Sequence, residues 1–378
     1  MKLNKEIVDY IDANATEAYE LLLTLAQIPA PSNHEEKRAE FCKKWLEDNG
    51  AEGVYIDEAL NVVYPINCEG DHPITIYMAH SDVVFPDTDS LPLRIEDGKI
   101  FCPGIGDDTA NAVALLTVAK YIATEKPRLD GEGVLIVINS GEEGLGNLKG
   151  SRKIMEDFGA RTKEFITFDG SLKSIINRAV GSKRYRVSIK TEGGHSYSAF
   201  GNRNAIAYLA SLIDTLYTIK VPKRGKTTYN VGLISGGTSV NTIAENAEML
   251  YEFRSDNRED LAEMERHFEA ALDFYRTKGI TVECELLGNR PCGIDIDEKR
   301  ENALIERTAN ALRAHNGDEP LIRSASTDCN IPLSMGIPSV CTGCIIGAGA
   351  HTRGEWVAID SLTPGLKVAF EMVLHHFN

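Results

Sequence analysis

The sequence predicts an α/β protein made of a sheet with helices on both faces, interrupted by a smaller α+β insertion. Two observations carry this expectation. Residues 133–139 ("GVLIVIN") and 164–168 ("EFITF") are short and almost wholly apolar, as strands covered by helices on both sides must be. Residues 183–287 instead read strand, helix, strand, strand, helix, strand, which is the order of a split-βαβ sandwich.

Along the chain, apolar residues at helical spacing predict a helix over about 5–28. "APSNHEEKRAEFCKKWLEDNG" follows with a turn, an acidic helix start and a glycine stop. Strands are expected at 53–57, 60–66 and 74–79. "DDTANAVALLTVAKYIAT" (107–124) reads as a helix with acids at its start, where the helix dipole favours them. A strand at 337–344, after a helix at 298–315, is expected to join the same mostly parallel sheet. The insertion is expected to contain strand 183–191, helix 203–220, strands 227–235 and 247–255, helix 258–278 and strand 280–287. The predicted domains are a discontinuous α/β domain (1–181 and 289–378) and a ferredoxin-like βαββαβ domain (182–288). Gly181 and "GNRPCG" (288–293) are the expected hinges.

With 378 residues, 43% of them apolar and 25% charged, the chain suits two soluble domains. A formal charge of −16 argues against nucleic acid or an anionic membrane as partner. No apolar run reaches the roughly 18–20 residues of a membrane span. The start "MKLNKEIVDYIDANATEAYE" has no apolar signal core, so a cytoplasmic location is expected. Among eight scattered cysteines, only Cys341-Thr-Gly-Cys344 has suggestive spacing. It lies in an apolar stretch with no second pair, and is read as buried free thiols.

Polar residues collect where these strands end, and in open α/β sheets functional groups lie just past the carboxyl ends of strands. Strand 74–79 is followed by His80 and Asp82, and strand 133–139 by Glu142-Glu143 after Ser-Gly. Asp169 directly follows strand 164–168. His351 comes after strand 337–344 and "IIGAGA", and Asp107 precedes a helix after "PGIG". Taken singly, each has an ordinary explanation: a satisfied strand-end histidine, a solvated acidic loop, a helix cap or a turn. Together they put two imidazoles and several carboxylates at one sheet edge, a crowd of like charge that cations must neutralise. Imidazole with carboxylate suits zinc, and also cobalt or manganese.

These motifs resemble a known family, the co-catalytic di-zinc peptidases and deacylases. It includes peptidase T, carboxypeptidase G, aminoacylase and acetylornithine deacetylase. The resemblance spans nearly the whole chain and rests on "AHSD" (79–82), "GIGDD" (104–108), "GEEGLG" (141–146), "FDG" (168–170), "GGHS" (193–196), "GGTSVN" (236–241) and "GAGAHTRGEWV" (347–357). It implies two Zn2+ per subunit, with Co2+ or Mn2+ as alternatives. His80, Asp107 and Asp169 would hold one ion. Asp107 would bridge to a second, completed by Glu143 and His351. Asp82 would orient His80 through its other ring nitrogen, and Glu142 would take the proton of the attacking water. His195, in the lid domain, would steady the oxyanion, in some relatives across a dimer. Asn241 and Arg254 would contact substrate; Arg254 has the alternative of a salt bridge with a neighbour such as Asp256.

The expected activity is hydrolysis of amide bonds in short peptides, as an amino-, di- or tripeptidase. Asp169 favours this reading, because in the family Asp at this position accompanies such peptidases. Glu there accompanies deacylases and carboxypeptidases on N-acyl amino acids, which are the alternative. Two departures bear on specificity: Thr109 stands where many relatives carry Lys, and "TEGGHS" lacks peptidase T's asparagine-rich approach to the lid histidine. A homodimer through the lid is expected. A non-catalytic binding protein on this fold would be expected to lack Glu142 and His195. A nucleotide-binding protein would need a G-x-G-x-x-G or P-loop pattern, which "PGIGDD" and "GLGNLKGS" do not match.

Overall fold

A computed structural model describes residues 3–378. The chain divides into two compact units, one running to Ala179 and resuming over Ile294–Asn378, the other Val180–Gly293.

The larger unit is built on an eight-stranded mixed sheet. Its order is Tyr55–Ile56, Val62–Ile66, Gly133–Asn139, Ile74–His80, Thr162–Phe168, Ser339–Thr342, Ser174–Ala179 and Leu321–Ala325. The four central strands, from Gly133–Asn139 to Ser339–Thr342, are mutually parallel. Alternation along the strand that ends in His80 explains the layers on its two faces. Ile74, Ile76 and Met78 enter a core with the helix Lys149–Phe158, whereas Tyr77 and Ala79 face another with Lys5–Ala26, Ala110–Glu125 and Leu362–Val373. Both faces are dry, which is why the strand reads as continuous apolar sequence.

Several elements differ from expectation. The helix predicted from 107 begins at Ala110, because Asp107 (φ −125°, ψ 79°) is not helical. His80 is the last residue of its strand, not the first after it. His351 does not follow the central strand directly. It lies in the loop between Gly347–Ala348 and Trp356–Ala358, part of a small antiparallel sheet with Lys99–Phe101 and Arg94–Glu96. These strands of two or three residues are too short to show a period. The edge strand Leu321–Ala325 is largely exposed and lacks the apolar signature. The helices Lys149–Phe158 and Leu362–Val373 were likewise not anticipated.

The smaller unit is a four-stranded antiparallel sheet in the order Thr227–Gly236, Asn246–Ser255, Gly181–Lys190 and Thr281–Arg290. The helices Ala205–Leu216 and Arg258–Arg276 share one core with it. This is the βαββαβ order read from the sequence. Gly181 opens the first strand here, and a Cβ on it would lie 2.5 Å from the Cys292 sulfur. It is a packed position.

Candidate metal centre

Five segments of the larger unit bring their polar ends together. His80 is fully buried at its strand end; its Nε2 lies 3.0 Å from Asp107 Oδ1. The other oxygen of Asp107 is 3.2 Å from His351 Nε2, and that nitrogen is 3.0 Å from Glu143 Oε1. One carboxylate thus stands between two imidazoles. Donor atoms of His80, Asp107 and Glu143 lie within 4.8 Å of one another, as do those of His80, Asp108 and Asp169. Asp169 therefore meets His80 alongside Asp108, an acid to which the sequence analysis assigns no role. Both Asp108 oxygens are engaged, one by the His80 backbone N–H at 2.9 Å and one by Asn111 Nδ2 at 2.6 Å.

Asp82 behaves differently from expectation. The Nδ1 of His80 is 3.0 Å from the Asp82 backbone carbonyl and 3.5 Å from its carboxylate. The carboxylate instead accepts the backbone N–H groups of Glu142 and Glu143, each at 3.0 Å, and the Ser32 hydroxyl at 2.6 Å. A carbonyl at Nδ1 still fixes the ring, directing Nε2 at Asp107.

The electrostatics are those of a crowded anionic site. Burial, reinforced by Asp107 and Glu142, pushes Glu143 up to about 7 despite its hydrogen bond to His351. Burial and neighbouring carboxylates also push Asp108 and Asp169 well above the usual range. Burial alone would lower His80, but Asp108, Asp107 and Asp82 outweigh it and hold the ring well above its ordinary value. His351, gripped by Asp107 and Glu143, is raised to about 10. Two imidazole nitrogens and several hard carboxylate oxygens are a donor set that a divalent cation fits, and its charge would relieve this repulsion.

A hollow of about 120 Å3 opens beside Asp107 and Asp169, walled by Gly106, Gly170, Ala348 and Trp356. A larger one, about 400 Å3 between the helices Glu298–Asn316 and Leu362–Val373, shares no residue with the cluster. Cys341 and Cys344 are buried free thiols, as expected.

The remaining predicted residues belong to the smaller unit. His195 pairs across from Thr242, and its Nδ1 accepts the backbone N–H groups of Tyr197 (3.3 Å) and Ser198 (3.4 Å). That arrangement leaves the proton on Nε2. The side chain of Asn241 accepts the Ser239 hydroxyl at 2.6 Å. Arg254 makes a two-pronged ion pair with Glu252 at 3.0 and 2.9 Å, a salt bridge with a neighbour on the same strand face, the kind of contact given as its alternative.

Sequence reasoning missed three residues that hold the cluster. Glu355 accepts three backbone N–H groups of the turn before Asp108. Ser32 bonds Asp82, as described. Arg38, fully buried, donates to the carbonyls of Ile28 (2.7 Å) and Ser81 (2.9 Å) and to the Thr109 hydroxyl (3.0 Å). An arginine inside a helix gives no local sign that it is buried. Glu355 lay within a quoted motif, but its partners are some 250 residues earlier.

A sheet covered on both faces, with histidines and carboxylates converging at the carboxyl ends of its strands, defines a metallohydrolase. The model of peptidase family M20/M25/M40 matches residues 76–375, and the chain belongs to that family. It is 25% identical over 355 residues to a succinyl-diaminopimelate desuccinylase of Corynebacterium glutamicum, covering 90% of this chain and 91% of that one. A tripeptidase of Staphylococcus aureus has the same fold, with a TM-score of 0.77 at 22% identity over 96% of this chain and 98% of that one. So does an M20 metallo-carboxypeptidase of Sulfolobus solfataricus, with a TM-score of 0.76 at 17% identity over 95% and 99%. The protein is an M20-family metallopeptidase.

Proposed function

We propose that the protein is a two-zinc exopeptidase that hydrolyses short peptides bearing a free amine. The observation that carries this reading is the Asp107 carboxylate, with one oxygen 3.0 Å from His80 Nε2 and the other 3.2 Å from His351 Nε2. A carboxylate so placed suits two cations better than one. His80, Asp107 and Asp169 would hold the first ion, and Asp107, Glu143 and His351 the second. Asp108, with both oxygens already engaged, would serve as support. When bound, the ions supply Lewis acidity and make water a competent nucleophile near neutral pH.

The other steps fall to protein groups. Glu142 takes the proton from the attacking water as the new C–O bond forms, then returns it to the leaving amine as the C–N bond breaks. Its backbone N–H is tied to Asp82, which fixes the origin of the side chain. His195, with its proton on Nε2, donates to the developing oxyanion. Asn241 and Arg254 contact the substrate, and Arg254 must release Glu252 to bind a carboxylate.

Asp169 as the terminal ligand favours peptides, whereas the desuccinylase relative favours the second reading, deacylation of N-acyl amino acids. A homodimer through the smaller unit is supported by its edge strand Thr227–Gly236, where Leu233 and Ile234 are exposed. Eight free cysteines accord with a reducing, cytoplasmic setting. Metal analysis with a substrate panel tests the proposal. It expects about two zinc ions per chain and cleavage of free-amine di- and tripeptides, lost on chelation. Turnover of N-acyl amino acids alone would overturn the peptidase assignment.

A further inference from the structure

Glu355 is a buried acid four residues after His351, and among the described residues no Lys or Arg pairs with it. Its carboxylate instead receives three backbone N–H groups. Oε2 accepts from Gly104 at 2.8 Å, and Oε1 accepts from Gly106 at 2.7 Å and Asp107 at 2.8 Å. Its own carbonyl accepts the N–H of Cys102 at 3.2 Å. Convergent N–H groups in a glycine turn make a nest for an anion, and here the chain fills the nest with its own side chain. The turn has little freedom otherwise. Gly104 has φ +74°, and a Cβ there would sit 2.2 Å from the Val83 side chain.

We propose that Glu355 is a positioning residue for the metal centre, setting the direction of the Asp107 carboxylate by holding the backbone of residues 104–107. The proposal rests on the reading of Asp107 as a bridging ligand. The backbone nitrogen of Asp107 is pinned at the base of a side chain whose carboxylate would serve both ions. Coordination at about 2.0–2.2 Å tolerates displacements of only a few tenths of an ångström. The neighbouring strand Trp356–Ala358 pairs with Lys99–Phe101. The turn carrying Asp107 and the loop carrying His351 are therefore anchored to one small sheet, with Glu355 as the polar link between them.

Glu355→Gln in the full-length chain tests this, because the amide keeps the shape but opposes an N–H with an NH2. The readout is zinc affinity of the folded variant, measured by competition with a chromogenic chelator, together with steady-state kinetics. Zinc binding should weaken about 10- to 100-fold, the range for groups that orient ligands, and kcat should fall with little change in KM. A purely structural role would lower the melting temperature and leave the zinc affinity of the folded protein unchanged; that result overturns the proposal. Asp107→Asn, measured in parallel, separates the two readings. If Asp107→Asn still binds two ions, the bridging assignment is wrong. If it loses zinc while Glu355→Gln does not, only the positioning role fails. Should Glu355→Gln not fold, Gly106→Ala is the second variant, since its Cβ would stand 3.3 Å from Glu355 Oε1. Weakened zinc binding there supports the proposal, and wild-type affinity overturns it.

Discussion

The carboxylate of Asp82 accepts the backbone N–H of Glu143 at 3.0 Å, tying the segment after His80 to a loop 61 residues further on. The same carboxylate holds the N–H of Glu142. One acid thereby sets the position of two others, one assigned to proton transfer and the other to metal. Asp82 thus acts on the site through these N–H groups as well as through the ring of His80.

Asp82→Asn should expose that role. The amide would turn an NH2 towards one of the two N–H donors, losing a charge-assisted hydrogen bond worth about 1.5–3 kcal/mol. Thermal unfolding should report a loss of that order, and kcat should drop because Glu142 is no longer held.

Glu142→Gln separates proton transfer from metal binding. The variant should bind zinc as the wild type does, yet lose about a hundred- to ten-thousand-fold in kcat. Metal content and kcat measured on the same preparation decide the matter. A fully active variant would remove Glu142 from the mechanism.

Arg38 is a fully buried cation whose hydrogen-bond partners among the described residues are all neutral. It joins the segment after His80, through the Ser81 carbonyl, to Thr109 beside the acidic pair. Arg38→Met should cost about 1.5–3 kcal/mol of stability, because carbonyls inside the core lose a charged donor. Lys should not restore it, since an ammonium lacks the planar fork that reaches divergent acceptors. Denaturant unfolding of the two variants checks both statements.

Glu132 gives a pH-dependent test away from the metal. Its hydrogen bond from His376, at 2.9 Å, and its ion pair with Lys163 bring it down from 4.5 to about 2. A carboxyl that is more acidic in the folded state stabilises it above the unfolded value. That contribution is lost as pH falls through the folded value. The melting-temperature gap between wild type and Glu132→Gln should thus be fully open at pH 7. It should close as pH falls from about 4.5 towards 2.

Much of this protein is legible in local sequence. Apolar runs mark the central strands because those strands are buried on both faces, and helical spacing marks the helices that cover them. His80, Asp169 and Glu143 sit at or shortly past the ends of central strands, so the pattern of strand followed by acid or histidine is visible there one segment at a time, whereas Asp107 precedes a helix and His351 lies in a loop of the small sheet. The two-to-three-residue strands around His351 and the exposed edge strand carry no such signal, since nothing alternates over so short or so wet a stretch.

Contacts made over long sequence distances left no trace. That Asp82 turns its carboxylate to the 142–143 backbone, that Asp108 caps the N–H of His80, and that Glu355 and Arg38 grip the acidic turn from opposite ends of the chain all depend on packing. Hydrogen bonds are satisfied by whatever donor the fold delivers within about 3 Å, and a linear pattern cannot say which one that will be. Residue identity therefore pointed to the candidate ligands and the sheet. Their support, and with it the geometry that makes the cluster a site, was settled by the chain folding back on itself.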